Sequence, residues 1–273
     1  MTGWAEARPA AVRIGPAGWL RAAWRGTIVG SLTYGGLLIL LLVRLVEAPL
    51  FGPSRPVTPW ITQSVCRASL RVMGLRLVLR GRPMQGEGAI VANHSSWLDI
   101  LVLNAADRVY FVAKSEVAGW PGIGWLARAT GTVFIARRGT EAKRQQELLE
   151  ARLIAGHRLL FFPEGTSTDA VRVLPFKSTL FAAFFSPALE RRTHIQPVTV
   201  VFHAPEGEDP RFYGWWGDME FASHLLKTLA VRRHGWVEVT LHPEVPVDGF
   251  EDRKSLSRYC ERVIRTAHVN AVE

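Results

Sequence analysis

The apolar positions fall into three patterns along the chain. From Thr27 to Val43 (TIVGSLTYGGLLILLLV) no residue is charged, with Arg21 and Arg25 before the run and Arg44 after it. About 17 residues is the lower edge of what crosses a bilayer as a helix, so the run predicts a span, a helix lying in one leaflet, or the core helix of a water-facing domain. From Trp60 to Leu77, Arg67, Arg71 and Arg76 recur at nearly helical spacing among Ile61, Val65, Leu70, Val72 and Leu75. That pattern predicts an amphipathic helix at a membrane interface. Pro49, Pro53, Pro56 and Pro59 lie between the two and argue against one continuous helix. A membrane-embedded helix pair over residues 1–80 is the expectation.

From residue 81 to 273 the pattern changes. Short β-rich runs, Ala89–Ala92, Val109–Ala113, Thr132–Ala136, Arg158–Phe162, Ile195–Phe202 and Trp236–Leu241, alternate with helical patterns. The helices are expected at Ser96–Ala105, Ser115–Thr130 with a break near Pro121, Glu141–Ala155, Ser178–Phe185 and Leu256–His268. Such alternation predicts an α/β domain with a mixed, mostly parallel sheet flanked by helices.

Composition narrows the partners. With 33 Lys and Arg against 24 Asp and Glu the chain carries a formal charge of +9, which favours anionic lipid headgroups, an acidic carrier protein or nucleic acid. Nucleic acid is disfavoured by the apolar N-terminal run and by the lack of a known binding motif. The two cysteines, Cys66 and Cys260, have no metal-site or disulfide spacing and fit a reducing compartment. The apolar run begins late and has no small-residue cleavage site after it, so it is read as part of the mature protein.

Two turns carry candidate chemistry. Asn93-His94-Ser95-Ser96-Trp97-Leu98-Asp99 follows an apolar strand and opens a helix, which puts Asp99 about one turn beyond His94. The carboxylate can then bond one imidazole nitrogen and leave the other to take a proton from a substrate hydroxyl. Ser96-x-x-Asp99 is equally a capping box, and the two roles are compatible. Phe162-Pro163-Glu164-Gly165-Thr166-Ser167 follows another strand, where Glu164 and Thr166 offer polar groups and Gly165 a close backbone approach, with Lys177 a downstream cation. In isolation this second stretch is an ordinary polar turn. Arg137 and Arg138 end a third strand and suit a carboxylate or phosphate, whereas Arg13, Arg21, Arg25 and Arg44 are expected to meet lipid phosphates.

Four blocks in order, NHSSWLD at Asn93–Asp99, GTVFIAR at Gly131–Arg137, FPEGTS at Phe162–Ser167 and IQPV at Ile195–Val198, resemble the lysophospholipid acyltransferase family, which includes the 1-acylglycerol-3-phosphate acyltransferases. The resemblance implies His94 as catalytic base with Asp99 as partner, and Phe134, Ile135, Arg137, Glu164, Gly165 and Thr166 as acceptor-binding residues, with Lys177 a further contact. It implies an acyl carrier protein or coenzyme A thioester as donor and no metal or other cofactor. It also implies an enzyme of the bacterial inner membrane whose active site faces the cytoplasm.

Phosphate-using members read EGTR where this chain has Ser167. The stretches Lys114–Pro121 and Phe212–Phe221 are similar to the bacterial lyso-ornithine lipid acyltransferase branch. Lyso-ornithine lipid is therefore the first expected acceptor, with lysophosphatidate, or both, as the alternative. A lipid hydrolase lacks support because no G-x-S-x-G elbow occurs, and a non-catalytic lipid scaffold remains as the third class.

Overall fold

The computed structural model of the chain describes residues 3–4, 6, 13–136, 142–189 and 191–272. Two helices come first, α1 (Pro16–Phe51) and α2 (Thr58–Met73). The strands are β1 (Arg76–Gly81), β2 (Gly88–Ala92), β3 (Tyr110–Lys114), β4 (Val133–Ile135), β5 (Leu159–Phe161), β6 (His194–His203), β7 (Trp236–Leu241) and β8 (Val245–Pro246). Between and after them lie α3 (Leu98–Ala106), α4 (Ile123–Ala129), α5 (Ala142–Ile154), α6 (Phe221–Ala230) and α7 (Arg253–Val272), with 3₁₀ turns at Ser115–Gly119 and Ser178–Phe185.

The sheet runs β1-β7-β6-β2-β5-β3-β4, with β8 beside β6. Its pairs are parallel except where β7 and β8 meet β6. The expected mixed, mostly parallel α/β sheet is therefore present. Strand alternation divides the core. Ile90 and Ala92 face α2, α3 and α6, whereas Ala89 and Val91 face α5 and α7.

Three elements escaped the sequence pattern. Arg76 and Leu77 were expected as the end of the second helix, but Gly74, in the left-handed region at φ 83°, ends that helix by donating to the Leu70 and Arg71 carbonyls. The alternating Leu77 and Leu79 then pair beside β7, so the sheet begins ahead of residue 81. Helix α6 follows an aromatic stretch whose motif value hid its helical period, and β8 is only two residues long.

The N-terminal pair is helical but differs in three respects from expectation. Pro49 sits within the last turns of α1 and Pro59 in the first turn of α2, so the break is confined to the segment between Phe51 and Thr58. The buried Glu47 fixes that break by accepting the Val57 and Thr58 N–H groups at 2.8 and 3.1 Å. The apolar face of α2, with Cys66, Leu70 and Met73, packs into the core beside α3 instead of facing lipid. Arg21 and Arg25, expected to meet lipid phosphates, donate to the Ala230, Leu229 and Val231 carbonyls at the C-terminus of α6, where a cation offsets the helix dipole. Arg44 likewise bonds Glu47 and the Gly52 carbonyl.

Helix α1 is long and apolar enough to cross a membrane. Its 36 residues span about 54 Å, and only 6% of its most apolar 18-residue stretch is buried in the protein. A core helix would be mostly buried, which disposes of that alternative. Leu38, Leu41, Leu45 and Leu50 all face outward, an apolar surface suited to lipid and not to water.

Candidate active site

Because β2, β5, β3 and β4 are parallel, their C-terminal ends open on one edge of the sheet, where ligands of open α/β sheets gather. His94 follows β2 there, and the chain after β5 brings Phe162 and Glu164 to its side.

Asp99 lies in the first turn of α3 and is fully buried. Its Oδ2 lies 2.7 Å from His94 Nδ1 and accepts the Ser95 and Ser96 N–H groups at 2.8 and 3.0 Å. One oxygen therefore shapes the turn and orients the imidazole together. The capping reading was half right. Asp99 bonds the Ser96 N–H as a capping box requires, but the Ser96 hydroxyl has no partner among the described residues.

The imidazole stacks on Phe162, with centroids 4.1 Å apart and planes 12° from parallel. Its side chain is 22% exposed, so with Nδ1 held by Asp99 it is Nε2 that remains for a substrate. The His94 backbone is pinned on both sides, its N–H donating to Glu164 Oε1 at 2.7 Å and its carbonyl accepting from the Thr168 N–H at 2.9 Å. Asn93 ties the turn to β6 through two 2.8 Å bonds with the Val200 backbone. On the far side, the Trp215 backbone N–H donates to the Ser95 carbonyl at 3.0 Å.

The other expected residues divide. Glu164 is not open to a ligand: it is 2% exposed, and its second oxygen accepts the Leu174 N–H at 2.6 Å. It builds the site instead of lining it. Gly165 takes φ 73°, and a Cβ there would meet Lys177 Nζ at 2.9 Å, so the glycine lets the lysine lie across the turn. Thr166 and Lys177 are exposed at the same edge. Phe134 and Ile135 end β4, two strands from β5 and about 10 Å across the sheet; the structure places them on the same edge of the sheet as the His94–Asp99 pair. Arg137 lies outside the described residues.

Sequence reasoning singled out the stretches that hold Phe162 and Trp215 but not their roles, as platform under His94 and prop of the Ser95 carbonyl, and it missed Thr168 and the clasp from α7. In that clasp Glu261 Oε2 accepts the Phe176 N–H at 2.8 Å while Arg265 bonds Glu261 Oε1 at 2.7 Å and the Val173 carbonyl. No local signal marks such partners, which lie about a hundred residues apart.

Burial pushes the Glu164 carboxyl up to about 8, although the Leu174 and His94 N–H groups pull the other way. Between its ordinary value and about 8 the folded chain keeps a proton that the unfolded chain releases. The stability from this group is thus full in acid and is lost as pH rises through about 8. Glu164→Gln is expected to flatten that part of the slope, measured as melting temperature between pH 6 and pH 9; an unchanged slope would mean Glu164 is already ionised in the fold.

The acyltransferase family model matches residues 71–201. The chain is 59% identical over 92% of its length to a lyso-ornithine lipid O-acyltransferase of Rhodobacter capsulatus, 91% of which is covered. It is 33% identical over 47% of its length to a 1-acyl-sn-glycerol-3-phosphate acyltransferase of Neisseria gonorrhoeae, covering 50% of that protein. The crystal structure of the 1-acyl-sn-glycerophosphate acyltransferase of Thermotoga maritima shares the fold, with a TM-score of 0.65 at 20% identity over 92% of this chain and 95% of that one.

Proposed function

The chain belongs to the acyltransferase family, and from that premise we propose that it esterifies the free hydroxyl of lyso-ornithine lipid, with His94 as general base. The observation that carries the mechanism is the 2.7 Å His94 Nδ1–Asp99 Oδ2 contact, with Nε2 left for substrate. The acceptor rests on the 59% identical relative and on Ser167 standing where phosphate-using members carry an arginine.

With Nδ1–H donated to Asp99, Nε2 is the basic nitrogen. It takes the acceptor proton as the hydroxyl oxygen attacks the thioester carbonyl. The C–S bond then breaks, and the imidazolium returns the proton to the leaving thiolate. Asp99, held by two backbone N–H groups, stays an anion beside the positive ring. Stacking on Phe162 keeps the ring in one plane throughout, which limits the orientational freedom lost on reaching the transition state.

The donor is proposed to be an acyl carrier protein or coenzyme A thioester, the acidic carrier protein suiting the +9 charge of the chain. The setting is the cytoplasmic face of a bacterial inner membrane. Lysophosphatidate is the second acceptor, favoured by the Neisseria relative. Membranes bearing the protein, supplied with labelled acyl carrier protein thioester and either acceptor, decide between them. Diacyl ornithine lipid is the expected product, and phosphatidate alone would transfer the assignment to the second acceptor.

The α7 clasp yields a further expectation. Glu261→Ala frees the Phe176 N–H and Arg265 together, loosening the segment that carries Lys177 and supports Glu164. KM for the acceptor should rise roughly tenfold, the loss of about 1.4 kcal/mol expected for one charge-assisted bond, with kcat little changed. Glu261→Gln keeps an acceptor for Phe176 and should recover most of the loss. Equal effects on donor and acceptor KM would argue against an acceptor-side role.

A further inference from the structure

We propose that the catalytic domain has its own bilayer contact, formed by Trp120, Pro121 and Trp125, which seats the mouth of the His94 site against the lipid surface. The inference rests on α1 being membrane-associated and not on which lipid is acylated.

Trp125 is 71% exposed and Trp120 is 39% exposed, with the exposed Pro121 between them. Two indole rings set in water are costly unless something apolar covers them. Their position identifies the cover. Gly122, at φ 71°, lies so close to α1 that a Cβ there would stand 2.6 Å from the Tyr34 hydroxyl oxygen. The start of α4 is thus seated on the same helix whose leucines face lipid, and the tryptophans extend that apolar surface onto the domain. Arg128, exposed one turn beyond Trp125, supplies the cation that accompanies tryptophan at membrane interfaces.

The contact also points at the active site. The Trp120 ring meets the Trp215 ring edge-on at 6.1 Å, and the Trp215 backbone N–H holds the Ser95 carbonyl next to His94. A bilayer touching Trp120 is therefore two contacts from the catalytic turn. A lyso-lipid would reach His94 with its acyl chain still in the leaflet, instead of being drawn wholly into water at about 0.8 kcal/mol per exposed methylene.

The test uses the full chain in phospholipid vesicles carrying a bimane thiol probe at Trp125→Cys, Trp120→Cys, Leu42→Cys on α1, or Glu251→Cys beside α7 on the opposite face. Native Cys66 and Cys260 are buried and do not compete for label. Lipids spin-labelled near the glycerol level should quench the probe at residues 125 and 120 well above the level at residue 251. Quenching at residue 42 alone overturns the proposal while leaving α1 in the membrane; quenching at none of the four overturns both. Probe-to-probe transfer between copies at residue 125 without lipid quenching would assign the patch to a second copy of the chain and also overturn it. In parallel, Trp125→Ser should raise KM for vesicle-borne acceptor roughly tenfold, equal to about 1.4 kcal/mol, and leave turnover of detergent-dispersed acceptor unchanged.

Discussion

His94→Ala is expected to lower kcat by about 10²- to 10⁴-fold, the usual contribution of a positioned general base, while the folded population stays close to that of the parent protein. The separation follows from how the residue is held. Its backbone N–H and carbonyl bond Glu164 and Thr168, and both contacts survive loss of the ring. Asp99 Oδ2 still accepts the Ser95 and Ser96 N–H groups, so the turn keeps its shape. What disappears is the stack on Phe162 and one hydrogen bond, a cost of about 1–2 kcal/mol. Single-turnover acyl transfer with labelled thioester, beside a thermal melt, measures both quantities. A variant that melts normally and still turns over within a few-fold of the parent would remove His94 from the chemistry.

The sequence made the site legible where chemistry and chain order coincide. Asn93–Asp99 holds base, partner and the start of α3 within one short stretch, so spacing alone brought His94 and Asp99 together. Glu164 marks the opposite case. Its charge suggested contact with substrate, but only the fold shows both oxygens consumed by the His94 and Leu174 N–H groups, because those partners depend on β2 and β5 lying side by side. The basic N-terminal residues misled for a similar reason. Arg21 and Arg25 stand about two hundred positions from the α6 carbonyls that they cap, and nothing local distinguishes a capping arginine from one that waits for a phosphate. The amphipathic pattern of α2 was read correctly as a pattern, yet an apolar stripe does not say whether lipid or α3 will cover it. The run in α1 was more telling because its length exceeds what the neighbouring protein covers.

At Asp99 alanine and the isosteric asparagine are expected to part company, and the difference tests what the carboxylate does. Asp99→Ala leaves the His94 Nδ1, Ser95 N–H and Ser96 N–H groups without their acceptor in a fully buried place. At about 1–3 kcal/mol for each stranded buried donor, the loss rivals the whole stability of an ordinary domain, commonly about 5–15 kcal/mol. Little folded protein should accumulate. Asn at the same position can place its carbonyl oxygen where Oδ2 lies and its amide nitrogen where Oδ1 lies, and Oδ1 has no hydrogen-bond partner among the described residues. The three donors then keep an acceptor, weaker because it is neutral, and Asp99→Asn should fold with a modestly lower melting temperature. Its rate should nevertheless fall by about 10²- to 10³-fold, since the imidazolium that forms as the hydroxyl is deprotonated loses the anion that stabilises it. The acceptor KM should stay near its parent value, because Asp99 is buried behind His94 and does not reach substrate. Asp99→Asn retaining kcat within threefold would show that Asp99 only shapes the turn, and the proton transfer would then have to be assigned without it.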